Sequence, residues 1–326
     1  MGVNRLRDLQ DPMTDSRFHK VLVFTAQLQQ LPSVLVGIWI MLCTGICALA
    51  WAHAPLLPLL YAGFAALNWW LMWSLPRFGL SFGPEKATVM ALALLLLALV
   101  MPLGLLGAPL WMGLAVLVIT TALAVYATYV EPFDLRVTHE TLITPKWSSS
   151  APLTVLHIAD IQVERITKRE RLLNQRIREL KPDVIVFSGD FVSISYRYDA
   201  NAQAAIREVI AEWDAPYGVY CVPGTYTVEP IERVQQFVAG LGNLRLLLDQ
   251  WVTINTPGGI LHIMGMVTRH ILATDQATVA RMMRTAPDGG VKLLLTHAPD
   301  VAPDADAAGI DLYLCGHTHG GQIRLP

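Results

Sequence analysis

Residues 310–321 read IDLYLCGHTHGG, in which an apolar run, Ile310–Leu314, passes through Cys315 into Gly316-His317-Thr318-His319-Gly320-Gly321. A run of that length, rich in β-forming side chains and closed by glycine, predicts a short buried strand ending in a turn. The two histidines fall on the same side of an extended segment, an arrangement suited to holding a metal ion. Glycines beside them let the backbone bend sharply and approach a bound anion closely.

The same pattern recurs upstream. Leu153–Ile158 leads into Asp160, Asp183–Phe187 into Gly189-Asp190, Gly218–Val222 into Pro223-Gly224-Thr225, and Val291–Leu295 into His297. Helical candidates alternate with these runs: Lys168–Leu180, Asn201–Trp213, and Ile231–Leu241 ending at Gly242. Strands alternating with helices predict an α/β domain, and such domains bind ligands at the carboxyl ends of their strands. Here four of five strand ends supply Asp or His. Carboxylate and imidazole together suit Mn²⁺, Fe or Zn²⁺ better than Ca²⁺. Singly, each has a structural alternative: Asp160 as a helix cap, Asp190 in a turn, His297 as a satisfied core histidine. Their coincidence in one domain favours a metal site. His157 reads as packing, while His139, His262 and His270 belong to no pattern and are assigned nothing.

Composition divides the chain in two. Of its 326 residues 53% are hydrophobic and 15% charged, against about 25% charged in ordinary soluble chains. Residues 31–130 hold only Arg77, Glu85 and Lys86 as charges, whereas 131–326 hold 18 Lys+Arg and 22 Asp+Glu. Four charge-free stretches, Ser33–Ala52, Ala54–Leu75, Ala87–Leu106 and Pro109–Val130, are long enough to span a bilayer. Trp51, Trp69, Trp70, Trp73 and Trp111 fall near their ends, where aromatic rings favour the headgroup layer. Basic residues occupy the N-terminal flank (Arg5, Arg7, Arg17, Lys20), the second loop (Arg77, Lys86) and the segment after the fourth span (Arg136, Lys146). With four spans all of these share one face, which puts both termini in the cytoplasm. Ala48-Leu49-Ala50 resembles a signal-peptide cleavage site, but a long flank precedes it and three more spans follow. The spans have no ionisable residue of the kind a transport pathway needs, so they read as an anchor. Scattered cysteines suggest reduced thiols, and a net charge of −2 without long basic runs argues against nucleic acid as a partner.

Asp160-Ile161-Gln162, Gly189-Asp190, Gly224-Thr225-Tyr226, His297 and Gly316–Gly321 resemble, in order and spacing, the five blocks of calcineurin-like metallophosphoesterases, in particular bacterial membrane-anchored members. The resemblance implies mixed β-sheets flanked by helices in a four-layer sandwich over residues 153–326. That domain would follow a flank at 1–32, the four spans at 33–130 and a linker at 131–152. It implies two divalent ions, one held by Asp160, Gln162, Asp190 and His319, the other by Asp190, Thr225, His297 and His317. Asp190 would bridge them. The function implied is membrane-bound hydrolysis of a phosphomonoester, phosphodiester or pyrophosphate, with the bilayer and a lipid-linked phosphoester as partners. UDP-diacylglucosamine is a substrate known among related enzymes.

Three features depart from the pattern. Gln162 replaces a usual His, and its oxygen can still ligate. Thr225-Tyr226 replaces Asn-His: a hydroxyl stands for an amide ligand, and a phenol of pKa near 10 for the imidazole that protonates the leaving group or holds phosphate. Tyr226 is thus an altered catalytic position, and the alternative function is a degenerate domain that binds metal or phosphate without turnover. Lastly, Pro326 comes five residues after Gly321, where such domains usually add strands. The reading is of a fragment or a shortened domain with an open edge.

Overall fold

The computed structural model describes residues 27–80, 83–148 and 150–319, together with Val21, Phe24 and Thr25. Arg5, Arg7, Arg17, Lys20, Gly320, Gly321 and the edge expected at Pro326 lie outside the described residues.

One compact unit, residues 21–136 with 167–169, contains four helices long and apolar enough to cross a membrane. They are α1 (Ser33–Ala50), α2 (Leu56–Ser74), α3 (Glu85–Leu105) and α4 (Leu110–Val125), the last continued by a π-turn over Tyr126–Val130. Apolar side chains face outward all round them, among them Leu49, Leu59, Leu106 and Trp111. An apolar surface of that extent suggests a membrane protein. Within the bundle small residues allow close approach: a Cβ at Gly104 would lie 2.5 Å from the Trp51 ring. Trp51 is therefore not a headgroup-layer residue. It is fully buried and donates its indole N–H to the Val100 carbonyl at 2.9 Å. The third helix also begins two residues earlier than expected, drawing Glu85 and Lys86 into its first turn, where Glu85 accepts from the Trp69 indole at 3.1 Å. An acid at a helix N-terminus complements the backbone dipole.

The second unit, residues 137–166 and 170–326, is an α/β domain with two four-stranded sheets. The first is parallel: β1 (Val155–Ile158), β2 (Val184–Phe187), β3 (Val219–Cys221) and β4 (Leu244–Leu246), in that spatial order. The second pairs β5 (Gln250–Thr256) antiparallel with β6 (Gly259–Gly265), then adds β7 (Val291–Leu295) and β8 (Leu312–Leu314) in parallel. Helices α5 (Lys168–Leu180), α6 (Ala200–Ala211) and α7 (Ile231–Val238) precede α8 (Leu272–Met283) and α9 (Ala302–Ala307).

Alternation along the strands sorts these elements into four layers. In β2, Ile185 and Phe187 pack with Ala202, Ile206 and Val209 of α6 and Phe237 of α7. Val184 and Val186, pointing the other way, meet Val252, Ile263 and Leu293 of the second sheet. On the far side, Met264 and Leu294 pack against Val279 and Met282 of α8 and Ala305 of α9. With both faces covered, β2 is buried at every residue, which is why it reads as an uninterrupted apolar run. Asp199 caps α6, its carboxylate accepting from the N–H groups of Asn201 (2.8 Å) and Ala202 (3.0 Å). Helix α7 stops at Val238, short of the expected Leu241, as the chain turns at Gly240 with φ +78°.

Candidate metal centre

The site lies where β1, β2, β3, β7 and β8 give up their last side chains. Past the strand ends the loops go on pairing: Asp160 N donates to Gly189 O (3.1 Å), Gln162 N to Asp190 O (3.0 Å), and Gly316 N to His297 O (2.9 Å). Five residues in these loops have left-handed backbones: Asp160 (φ 50°), Gln162 (40°), Asp190 (60°), His317 (69°) and His319 (48°). Each such non-glycine residue costs about 1–2 kcal/mol, and strain of this kind collects at functional sites. His317 and His319 are therefore not on an extended segment, as alternation would have it. The left-handed turns send the two rings to different neighbours.

Asp190 stands at the centre. Its Oδ1 accepts the Thr225 N–H at 2.7 Å and lies 3.4 Å from His297 Nε2, while its Oδ2 accepts from the Gln162 amide at 3.2 Å. Asp160 accepts the His317 N–H at 2.9 Å and 3.1 Å on its two oxygens. The Gln162 amide also meets His319 Nε2 at 3.1 Å. His297 is fully buried, with Nδ1 against the Ser188 carbonyl at 2.9 Å. That contact makes Nδ1 the donor and leaves Nε2 with a free lone pair, 3.2 Å from both Thr225 Oγ1 and His317 Nδ1. One donor atom each from Asp160, Asp190 and His319 lie within 4.8 Å of one another. The fold thus brings together Asp160, Gln162, Asp190, Thr225, His297, His317 and His319. Tyr226 is half-buried in the turn after Thr225, and the hydrogen bonds just described do not include its phenol.

Close packing of two loops makes this possible. Gly189 has φ +92°, and a Cβ there would lie 2.5 Å from Gly224 N; a Cβ on Gly224 would lie 2.2 Å from both the Asp190 N and Oδ1. Gly189→Ala is expected to cost about 3–5 kcal/mol and to dismantle the site, because strain and overlap add. Gly240→Ala, left-handed but with open space around it, is expected to cost only about 1–2 kcal/mol. Thermal unfolding of the two variants side by side checks the difference.

Burial pushes the Asp160 carboxyl up, against the opposing pull of the His317 N–H, and Asp190 adds to the rise. Burial, and then His297, push His317 down. Behind them the fully buried Glu229 lies well above the usual carboxylate range through burial and Asp190, although it accepts the Val192 N–H at 2.6 Å. Crowded carboxylates and imidazoles are a donor set for a divalent cation. His157 is a packing residue, as expected: it lies in β1, bonds to Ser188 Oγ at 3.0 Å, and is driven down to about 4 by burial.

His270 is the residue the sequence did not mark. It follows β6 with φ 54°, and its ring centroid lies 5.0 Å from that of His317 and 6.2 Å from that of His297. No motif surrounds it, and only the pairing of β6 with β7 brings it to the site. Its loop is braced from two sides. Asp275 in the first turn of α8 accepts the Arg269 N–H at 3.1 Å and also the His270 N–H, while the Arg269 guanidinium pairs with Asp249 at 2.5 Å. Burial raises the Asp275 carboxyl to about 6. A folded-state value above the unfolded one of about 3.9 means the folded protein holds this proton more tightly, so the group's contribution falls as pH rises from about 4 to about 6. Asp275→Asn is therefore expected to stabilise the protein by about 1–2 kcal/mol at about pH 8, with the gain vanishing near pH 4. Unfolding midpoints at the two pH values test this.

Two stacked sheets with helices outside, and a carboxylate–imidazole cluster at the strand ends, define the class: an α/β protein with a candidate divalent-cation site. The match to the Calcineurin-like phosphoesterase family covers residues 153–321, and the chain belongs to that family of metal-dependent phosphoester hydrolases. Similar proteins include YkoQ of Bacillus subtilis, named an uncharacterized metallophosphoesterase, 26% identical over 53% of this chain and 63% of its own. The chain thus spans somewhat under two thirds of that relative. Phosphodiesterase YaeI of Escherichia coli is 26% identical over 62% of this chain and 73% of its own. The UDP-2,3-diacylglucosamine pyrophosphatase LpxG of Chlamydia trachomatis is 29% identical over 62% and 74%.

Proposed function

We propose that the chain is a membrane-anchored phosphoesterase that hydrolyses a phosphodiester or pyrophosphate on a lipid-linked substrate, using two divalent ions. The observation that carries the reading is the convergence of Asp160, Asp190 and His319 donor atoms within 4.8 Å, flanked by His297 and His317 nitrogens 3.2 Å apart. Asp160, Gln162, Asp190 and His319 would hold one ion, and Asp190, Thr225, His297 and His317 the other, Mn, Fe or Zn suiting the donors. Bound there, such ions supply Lewis-acid stabilisation of phosphoryl charge and a more acidic water. The chain's own residues fix the geometry. Ser188 orients the His297 ring, Thr225 N fixes the Asp190 carboxylate, and His317 N fixes that of Asp160. Tyr226 would face the phosphate as a hydrogen-bond donor.

Residues 33–130 act as the anchor between a flank at 1–32 and a linker at 131–152, with the domain at 153–326. Arg77 and Lys86 flank the loop between α2 and α3, and Arg136 and Lys146 follow α4. Basic loops face the cytoplasm, so this supports an inner-membrane protein with the domain and both termini inside. The name of LpxG supports a lipid-linked pyrophosphate as one substrate to try. The test uses the full chain in detergent, stripped with chelator and reloaded with Mn²⁺, Fe²⁺ or Zn²⁺. It is assayed on a nitrophenyl phosphodiester, a nitrophenyl phosphomonoester and a UDP-linked diacyl sugar. Metal-dependent release from the diester or the pyrophosphate supports the reading. Metal binding without turnover of any of the three favours the second reading, a degenerate binding domain, for which the Thr225-Tyr226 replacement speaks.

A further inference from the structure

The second ion of the proposed site has a weak donor. Thr225 offers a neutral hydroxyl where the resemblance calls for an amide oxygen, which leaves Asp190, His297 and His317 to do most of the binding. A fourth good donor would have to come from a strand end outside the five motif blocks, and β6 ends beside β7. Its loop carries His270.

We infer that His270 is a ligand of the second ion, completing with His297 and His317 a three-imidazole face that substitutes for the altered third block. The inference rests on the two-ion reading above. The geometry is that of imidazoles sharing a centre. A ring nitrogen about 2.1 Å from a zinc-sized ion puts each ring centroid about 3.2 Å from it, so tetrahedral neighbours have centroids about 5 Å apart. The three centroid distances here are 5.0 Å (His297–His317), 5.0 Å (His270–His317) and 6.2 Å (His270–His297). His297 Nε2 and His317 Nδ1 approach to 3.2 Å, close to the spacing of two ligand atoms on one such ion.

Two further observations point the same way. His270 Nε2 is buried and without a hydrogen-bond partner among the described residues. A buried ring nitrogen left so costs about 1–3 kcal/mol, which a ligand on that atom would recover. The backbone, moreover, holds His270 at φ 54°, a left-handed conformation uncommon outside glycine. The fixing is on hand: Asp275 takes the Arg269 and His270 N–H groups, Arg269 is tied to Asp249, and Asp249 Oδ1 accepts the Val267 N–H at 3.0 Å. Ordinary packing would not need a ring fixed at both ends of its loop. A ligand does, since metal sites depend on the groups that orient their ligands.

The test measures metal by mass spectrometry and Zn²⁺ affinity by competition with a chromophoric chelator, on the full chain in detergent. It compares wild type, His270→Gly and His270→Asp. Glycine accepts the left-handed backbone and offers no donor, and aspartate accepts it and offers a carboxylate. Wild type is expected to bind two ions. His270→Gly is expected to keep the first and bind the second on the order of 100-fold more weakly, with His270→Asp recovering much of the loss. Two ions with unchanged affinities in His270→Gly would overturn the inference and leave the two-ion reading standing. A wild-type chain that binds fewer than two ions would instead overturn the two-ion reading itself. If the glycine variant loses its near-ultraviolet circular dichroism, the aspartate variant decides: second-ion binding kept supports a ligand, and a folded protein with only one ion overturns it.

Discussion

Asp190→Asn is expected to empty both ion positions at once and to lower kcat by more than about 10³-fold, the equivalent of roughly 4 kcal/mol of transition-state stabilisation. The substitution is a clean one. Asparagine tolerates the left-handed backbone at φ 60° as well as aspartate does, and its amide oxygen still accepts the Thr225 N–H, now at 2.7 Å. What goes is the charge, and with it the group proposed to bridge the ions. Without metal, that charge is a burden: it raises Asp160 and Glu229. The metal-free variant is therefore expected to melt at or above the metal-free wild type. Adding metal should raise the melting temperature of wild type, by about 2.7 kcal/mol of stability at a hundredfold excess over Kd, and leave the variant unmoved. Metal content, kcat and the two melting curves together check the prediction. Two ions retained with activity within tenfold would remove Asp190 from the centre of the site.

Much of this was legible beforehand, for identifiable reasons. The four long apolar helices follow from length and the absence of charge, which no tertiary contact overrides. Strands β1, β2, β3, β7 and β8 are recognisable since both faces are covered and the runs stay apolar. Their ends stand out because Asp or His after such a run is chemically odd. The hairpin of β5 and β6 was passed over. One face of β5 is exposed at Thr253 and Asn255, so its apolar residues alternate and no run forms. Strand β4 reads Leu244-Arg245-Leu246, with a charge in the middle that breaks any apolar run. His270 could not be found from sequence because its relevance arises wholly from the β6–β7 register, which aligns Gly265 with Leu295, two residues before His297. Trp51 was misplaced for a related reason: a tryptophan at a span end suits the headgroup layer unless a glycine opposite, here Gly104, makes room for it inside.

The third block offers the other large effect, this time a gain. Tyr226→His replaces a phenol with an imidazole, the side chain suited to proton transfer near neutrality, and a matched general acid is worth about 10²–10⁴-fold. An increase in kcat of about 10²-fold is expected, with a new fall in rate on the alkaline side of neutrality as the added imidazole loses its proton. Thr225→Asn addresses the metal instead. Thr225 is buried, with Oγ1 3.2 Å from His297 Nε2, so the longer amide would reach the second ion at an overpacking cost of about 1–3 kcal/mol. How much it helps depends on His270. If that imidazole already fills the coordination sphere, Thr225→Asn alone should leave Zn²⁺ affinity within about threefold of wild type, and in a His270→Gly background it should restore binding by tenfold or more. Steady-state kinetics across pH on the two single variants and the double, with Zn²⁺ competition on each background, separate proton transfer from metal retention. A Tyr226→His variant no faster than wild type, in a protein shown to hold both ions, would mean that the missing general acid is not what limits the reaction.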